Sequence, residues 1–310
     1  MTPLRQALAE DLAMRRALGY RLARAEKLLG QFVAYVEARG ETHLRTETAL
    51  AWATRPTGDQ PSGWASQRLG LVRGFATHLH TLDPATEIPA PDLLAGRARR
   101  ATPYLYTDDE IVALMTAAPA ALRTAHRVAT DQTLIGLLAI TGLRVGEAIT
   151  LDRDDFDAND GLLIVRHGKF GKSRALPLHS TTVGVLEQYL HRADRPRSLT
   201  PTPALFVSCA GTRLFLCNVQ HAFRVLVRRV GLRPRSATCR PRLHDLRHRF
   251  AVCTLLDAYR ADHDPQTRLA RLATYLGHAD PKDTYWYLSA APELLRLASA
   301  RLERPIGGTA

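Results

Sequence analysis

Hydrophobic residues recur at helical spacing along most of this chain. Leu8 and Leu12, then Leu22, Leu28, Leu29, Phe32, Val33 and Val36, predict amphipathic helices over 4–18 and 20–39, with Gly19 and Gly40 as their ends. After a loop rich in Pro and Gly, Arg55 to Gly63, a further helix is predicted from about Trp64 to His80, with Leu69, Val72, Phe75 and Leu79 inward. Pro84, Pro89 and Pro91 then break the pattern, so 84–103 reads as an interdomain linker. The expected organisation is a small all-helical bundle over 1–90 and a larger domain over 104–310.

The larger domain opens with Thr107-Asp108-Asp109-Glu110, the pattern of a capping box. An apolar helix over about 123–140 ends at Thr141-Gly142, where glycine permits the positive φ of a helix C-cap. Leu162 to Val165 and Arg174 to Leu178 read as two strands flanking a Gly- and Lys-bearing tip. Helices are predicted at about 180–193, 217–231, 243–260, 266–275 and 292–302. The fold class is mainly α (α+β), with one small antiparallel sheet and no internal repeat.

Composition narrows the partners. A hydrophobic share of 45% and a charged share of 23% are those of a globular protein. A net charge of +12 favours a polyanionic partner but does not separate DNA from RNA or an anionic membrane. Only four of the 42 basic residues are Lys: Lys27, Lys169, Lys172 and Lys282. Two of them share one predicted hairpin, and Lys, unlike Arg, can be tuned to give up a proton. The four Cys show no metal or disulfide spacing. Glu10 and Asp11 interrupt any leader-like apolar core, and the run Leu134 to Ile140 is far too short to span a bilayer. A soluble, cytoplasmic protein with no membrane partner is expected.

Candidate chemistry gathers near the C-terminus. His244 and Arg247 lie three apart on one face of a predicted helix, a pairing suited to a phosphate. His278 is followed nine positions later by Tyr287, in the aromatic trio Tyr285-Trp286-Tyr287. A free Tyr is a poor nucleophile, with a pKa of about 10, so it needs neighbours that stabilise charge. Arg144 emerges just after the Gly142 turn, and Lys169 and Lys172 occupy the hairpin tip. His244, Asp245, His278 and Asp280 could also be read as ligands of a metal-dependent phosphohydrolase. The neighbouring arginines and the positive balance weigh against it.

Taken in order, Thr141-Gly142-Leu143-Arg144-Val145-Gly146-Glu147, the Lys hairpin, His244-x-x-Arg247, Leu276-Gly277-His278 and Tyr287 resemble the motifs of the tyrosine recombinases, or phage integrase family. The resemblance covers roughly half the chain. It implies an N-terminal core-binding domain that clamps double-stranded DNA against a catalytic domain, with neither metal nor other cofactor. It also implies roles: Arg144 and Arg247 on the phosphate oxygens, Lys169 as proton donor to the departing 5′ oxygen, His244 assisting proton movement, His278 bonding the phosphate, and Tyr287 as nucleophile. Lys172 rivals Lys169, since Phe170 stands where the family's loop has Gly, and Tyr285 rivals Tyr287. Asp245 and His248 are expected to face elsewhere.

The run from Arg213 to Arg249, with ten Arg and the single acid Asp245, is expected to track the DNA backbone. Lys172, Arg174, Arg240 and Arg242 are the candidate DNA contacts. The resemblance further implies a homotetramer on synapsed sites, from a monomer or dimer in solution, coupled through the helix at 292–302. The tail around Tyr285-Trp286-Tyr287-Leu288-Ser289 looks most like recombinases of transposable elements. Competing readings are a type IB topoisomerase that relaxes DNA and a catalytically inactive DNA-binding regulator.

Overall fold

The structure, a computed structural model, describes residues 2–20, 22–56, 63–94, 101–122, 124–166, 173–196, 202–261, 264–278, 280, 284–287 and 292–302. It divides into two compact units, Met1–Ala101 and Thr102–Ala310. The first is a helical bundle: α1 (Pro3–Ala17), α2 (Ala23–Ala38), α3 (Thr46–Thr54) and α4 (Trp64–Leu82). Leu12, Leu29, Phe32, Val36, Trp52, Leu69, Val72 and Phe75 fill its core. Helix α3 adds to the predicted set. Its buried face is Thr48, Ala49, Trp52 and Ala53, mostly small residues that give a faint periodic signal. Trp52 locks it in place, meeting Phe32 edge-on at 5.1 Å and carrying the buried Arg68 guanidinium over its ring at 3.8 Å.

The second unit is built on α7 (Ala125–Thr141), a helix apolar on most sides that packs against α5 (Asp108–Thr116), α9 (Ser180–Leu190) and α11 (Asp245–Arg260). The capping box opens α5 as predicted: Thr107 Oγ1 accepts from Glu110 N at 3.1 Å, and Glu110 Oε2 accepts from Thr107 N at 2.9 Å. Three strands, β1 (Phe156–Asp157), β2 (Leu162–Val165) and β3 (Arg174–Pro177), form an antiparallel sheet in sequence order. Leu163 pairs with Leu176, and Val165 with Arg174, so the pleat sends Leu163, Val165 and Leu176 into the main core. The hairpin tip with Lys169 and Lys172 lies outside the described residues. Short helices α6 (Ala118–Ala121) and α8 (Val145–Thr150) and helix α10 (Leu216–Val230) complete the main body.

A second, smaller core joins α11 to α12 (Pro265–Leu276) and to the helix Pro292–Leu302. It holds Val252, Leu255, Leu272, Leu276, Tyr287 and Leu294. The helix Pro292–Leu302, predicted as a contact for a neighbouring protomer, thus buries Leu294 within its own domain, while Leu295 stays 54% exposed. No helix among the described residues is long and apolar enough to cross a membrane.

Candidate active site

Two glycine turns position the site. Gly142 ends α7 in the left-handed region at φ +61°, and a Cβ there would lie 2.5 Å from Phe250 Cδ1. No other residue fits that turn, which reverses the chain so that Arg144 caps α8. Gly277 ends α12 at φ +67°, packed against the Arg174 guanidinium, and leads directly into His278. Replacing Gly142 with Ala is expected to cost about 2 kcal/mol or more from backbone strain and the ring clash. Denaturant unfolding of Gly142→Ala checks this.

Arg247 spans the two turns. Its Nη1 donates to Gly142 O at 2.8 Å, and its Nη2 donates to Leu276 O at 2.7 Å and meets His278 Nε2 at 3.0 Å. These bonds compensate an Arg that is only 2% exposed. Burial, then the charge of Arg144, pushes its pKa down to about 10, which leaves it cationic at neutral pH. Because a guanidinium can only donate, His278 accepts at Nε2. Its Nδ1 then carries the proton and donates to Thr284 Oγ1 at 2.6 Å.

Arg144 sits in a second network around Glu147. Arg144 Nη1 donates to Glu147 Oε1 at 2.8 Å, and its backbone N donates to Oε2 at 3.0 Å. Arg174, leaving β3, grips the same carboxylate through Nη1 at 3.2 Å and Nη2 at 2.8 Å. Burial alone would raise the Glu147 pKa. The bonds and charge of Arg174, with those of Arg144, outweigh it and hold the carboxyl at about 2. Glu147 therefore fixes Arg144 and also holds Arg174, one of the residues expected on DNA. Arg242, likewise expected on DNA, places Nε and Nη2 on the fully buried Asp245 at 3.0 and 2.7 Å. Arg240 is exposed.

His244 stands at the N-cap position of α11 and is exposed as a residue. Crowding by the surrounding protein and the charges of Arg247, Arg144 and Arg242 hold its pKa down, to about 4. A neutral imidazole can accept a proton. A proton NMR titration of the DNA-free protein should place the His244 midpoint well below the usual value of about 6.5.

Tyr287 and Tyr285 part company. Residues 284–287 are helical, which turns Tyr285 out, 54% exposed, and Tyr287 in, 3% exposed. The Tyr287 ring stacks on His278, with centroids 5.9 Å apart and planes at 21°. It also meets His248 at 5.4 Å and 64°. Contrary to the expectation that it faces elsewhere, His248 touches both Tyr287 and His244. The spacing carries the clue, since 244 and 248 are four apart and share a helix face.

The structure thus brings Arg144, His244, Arg247, His278 and Tyr287 together, around Glu147. Of the ten Arg from 213 to 249, Arg213, Arg235, Arg242 and Arg249 are spent on ion pairs with Asp152, Glu110, Asp245 and Asp108. Among the described residues Arg228, Arg229, Arg233 and Arg240 make no ion pair and are exposed. No group of three or more His, Cys, Asp or Glu among the described residues is placed to hold a metal ion.

Two guanidinium groups and a neutral imidazole gathered at a tyrosine, on a mostly helical unit with a small sheet, are the arrangement of an enzyme that transfers a phosphate to tyrosine. Residues 105–293 match the description "Phage integrase family". Integrase/recombinase-type protein y4rB of Sinorhizobium fredii is 45% identical over 309 residues, spanning 98% of both chains. Tyrosine recombinase XerC of Pseudomonas fluorescens is 32% identical over 263 residues, 84% of this chain and 81% of that one. The fold matches that of a Tn1549 transposon integrase in complex with circular intermediate DNA, with a TM-score of 0.65 at 15% identity, over 97% of this chain and 100% of that one. This chain belongs to the phage integrase family of tyrosine recombinases, site-specific enzymes that break and rejoin DNA through a 3′-phosphotyrosyl intermediate.

Proposed function

We propose that this protein recombines the DNA of a mobile element, with Tyr287 attacking the scissile phosphate in the site built by Arg144, His244, Arg247 and His278. The observation that carries this is the convergence of those five side chains from one chain, so that each protomer supplies its own nucleophile. As the phenolic oxygen bonds to phosphorus, negative charge grows on the non-bridging oxygens. Fixed donors there are usually the largest catalytic contribution. Arg144, held by Glu147, and Arg247, held by two carbonyls, supply such donors with little reorganisation. His244, kept neutral, takes the phenolic proton. Lys169 gives a proton to the departing 5′ oxygen, and His278, once Nε2 carries a proton, turns from Arg247 and donates to the phosphate. The phosphotyrosyl bond keeps the energy of the broken ester, so a second 5′ hydroxyl can displace Tyr287 and rejoin the strand.

Double-stranded DNA is the substrate, and the exposed Arg228, Arg229, Arg233 and Arg240 are placed to meet its backbone. Replacing any two with Ala should weaken binding and lower the slope of log affinity against log salt by about one for each phosphate left unneutralised. A salt series of DNA-binding isotherms reads that slope. The bundle over 1–90 adds DNA contacts of its own, and four protomers act on synapsed sites. The test of the function is a nicked substrate carrying the element's ends, incubated with EDTA and run on a denaturing gel. A covalent adduct that proceeds to exchange between two sites supports the reading. Relaxation of supercoils with no exchange would favour a topoisomerase instead.

A further inference from the structure

His248 sits one turn beyond His244 on α11 and is buried. Its ring meets that of His244 edge to face, with centroids 5.0 Å apart and planes at 87°, and it also meets the Tyr287 ring. His248 Nε2 lies 4.0 Å from Asp245 Oδ1. That carboxylate is itself immobilised by the Arg242 backbone N, Nε and Nη2. The Tyr287 ring is therefore flanked by two imidazoles. His278 is tied to Arg247 and Thr284, and His248 is anchored beside Asp245 on the helix that carries His244 and Arg247. We propose that His248 is a positioning residue for strand cleavage: its ring walls the seat that holds Tyr287 against His278, and Asp245 keeps that wall in place.

In-line attack needs the phenolic oxygen at a fixed place, and a misplacement of about 1 Å can cost about 100-fold in rate. An edge-to-face aromatic contact on one side and a stack on the other restrict how the ring can tilt. The effect belongs on the cleavage rate and not on DNA affinity, because the wall touches the nucleophile and the base His244 while the phosphate donors stay in place.

The inference rests on Tyr287 as nucleophile. A parental adduct mapped by peptide sequencing to Tyr287 carries that underlying reading, while the ratio of variant to parental rate carries this one. With the full chain and the nicked substrate, His248→Ala should slow single-turnover adduct formation about 10- to 100-fold, with DNA affinity and melting temperature near parental. His248→Phe, which restores an aromatic wall, should recover most of the rate. If His248→Ala does not fold, His248→Gln serves in its place, since it fills the space without an aromatic face; the same loss of rate is expected. Parental rates in Ala and Gln overturn the proposal. So does a fall in rate matched by falls in affinity and melting temperature that Phe does not rescue, because that marks a merely structural residue.

Discussion

Tyr287→Phe is expected to yield no covalent protein–DNA adduct, while Tyr285→Phe should yield one at close to the parental rate. This is the largest effect expected, because removing a nucleophile costs on the order of 10⁴-fold or more. The two tyrosines separate cleanly as a test. Tyr287 is buried against His278 and His248, and its Phe variant keeps that packing, so melting temperature and DNA binding should hold while chemistry disappears. Tyr285 is more than half exposed, so its hydroxyl can be removed without disturbing the core. An adduct that survives Tyr287→Phe and vanishes in Tyr285→Phe would move the nucleophile and require residues 284–287 to turn over on DNA.

Arg247→Lys is the second large effect, with cleavage slowed about 100- to 1,000-fold, the scale of losing one fixed donor from a site of developing negative charge. Lys keeps the charge but not the planar fork. A single ammonium cannot reach Gly142 O, Leu276 O and a phosphate oxygen together. Arg247→Ala goes further, because it strands two buried carbonyls at about 1–3 kcal/mol each. The Ala variant should therefore melt lower than Lys as well as cleave less. Single-turnover cleavage beside thermal unfolding checks both, and a Lys variant of parental rate would remove Arg247 from the chemistry.

What the sequence made legible was whatever depends on near neighbours along the chain. The Thr107–Glu110 capping box, the glycine turn at Gly142, the hairpin strands and the major helices all rest on spacings of a few residues. The candidate site was legible too, because its residues sit in short motifs, and the resemblance supplied their order. What stayed hidden was the partner of each charge. Arg174 reaches Glu147 across 27 residues, and Arg247 reaches Gly142 across 105. Nothing in local spacing announces such pairs, so the hold of Glu147 on Arg174 shows only in the fold, whereas Arg242 pairs with Asp245 three residues on. The helix Pro292–Leu302 was legible only in part, for a related reason. An apolar stripe shows that a helix is covered but not by which chain, and here Leu294 closes the cluster that holds Tyr287.

The anchoring of Arg247 by carbonyls and an imidazole, with no carboxylate against it among the described residues, makes DNA the missing half of an electrostatic pair. Without its substrate the enzyme holds a buried cation whose direct partners are dipoles, with the Glu147 charge acting on it from nearby, so an anion in the site adds attraction that the free state lacks. An oxyanion that fills the site closes that deficit, and mass action converts the closure into thermal resistance, about 2.7 kcal/mol when the ligand stands at 100 times its dissociation constant. Recognition and folding are then one reservoir of free energy. The protein bound to its cognate ends is therefore expected to melt above the free protein.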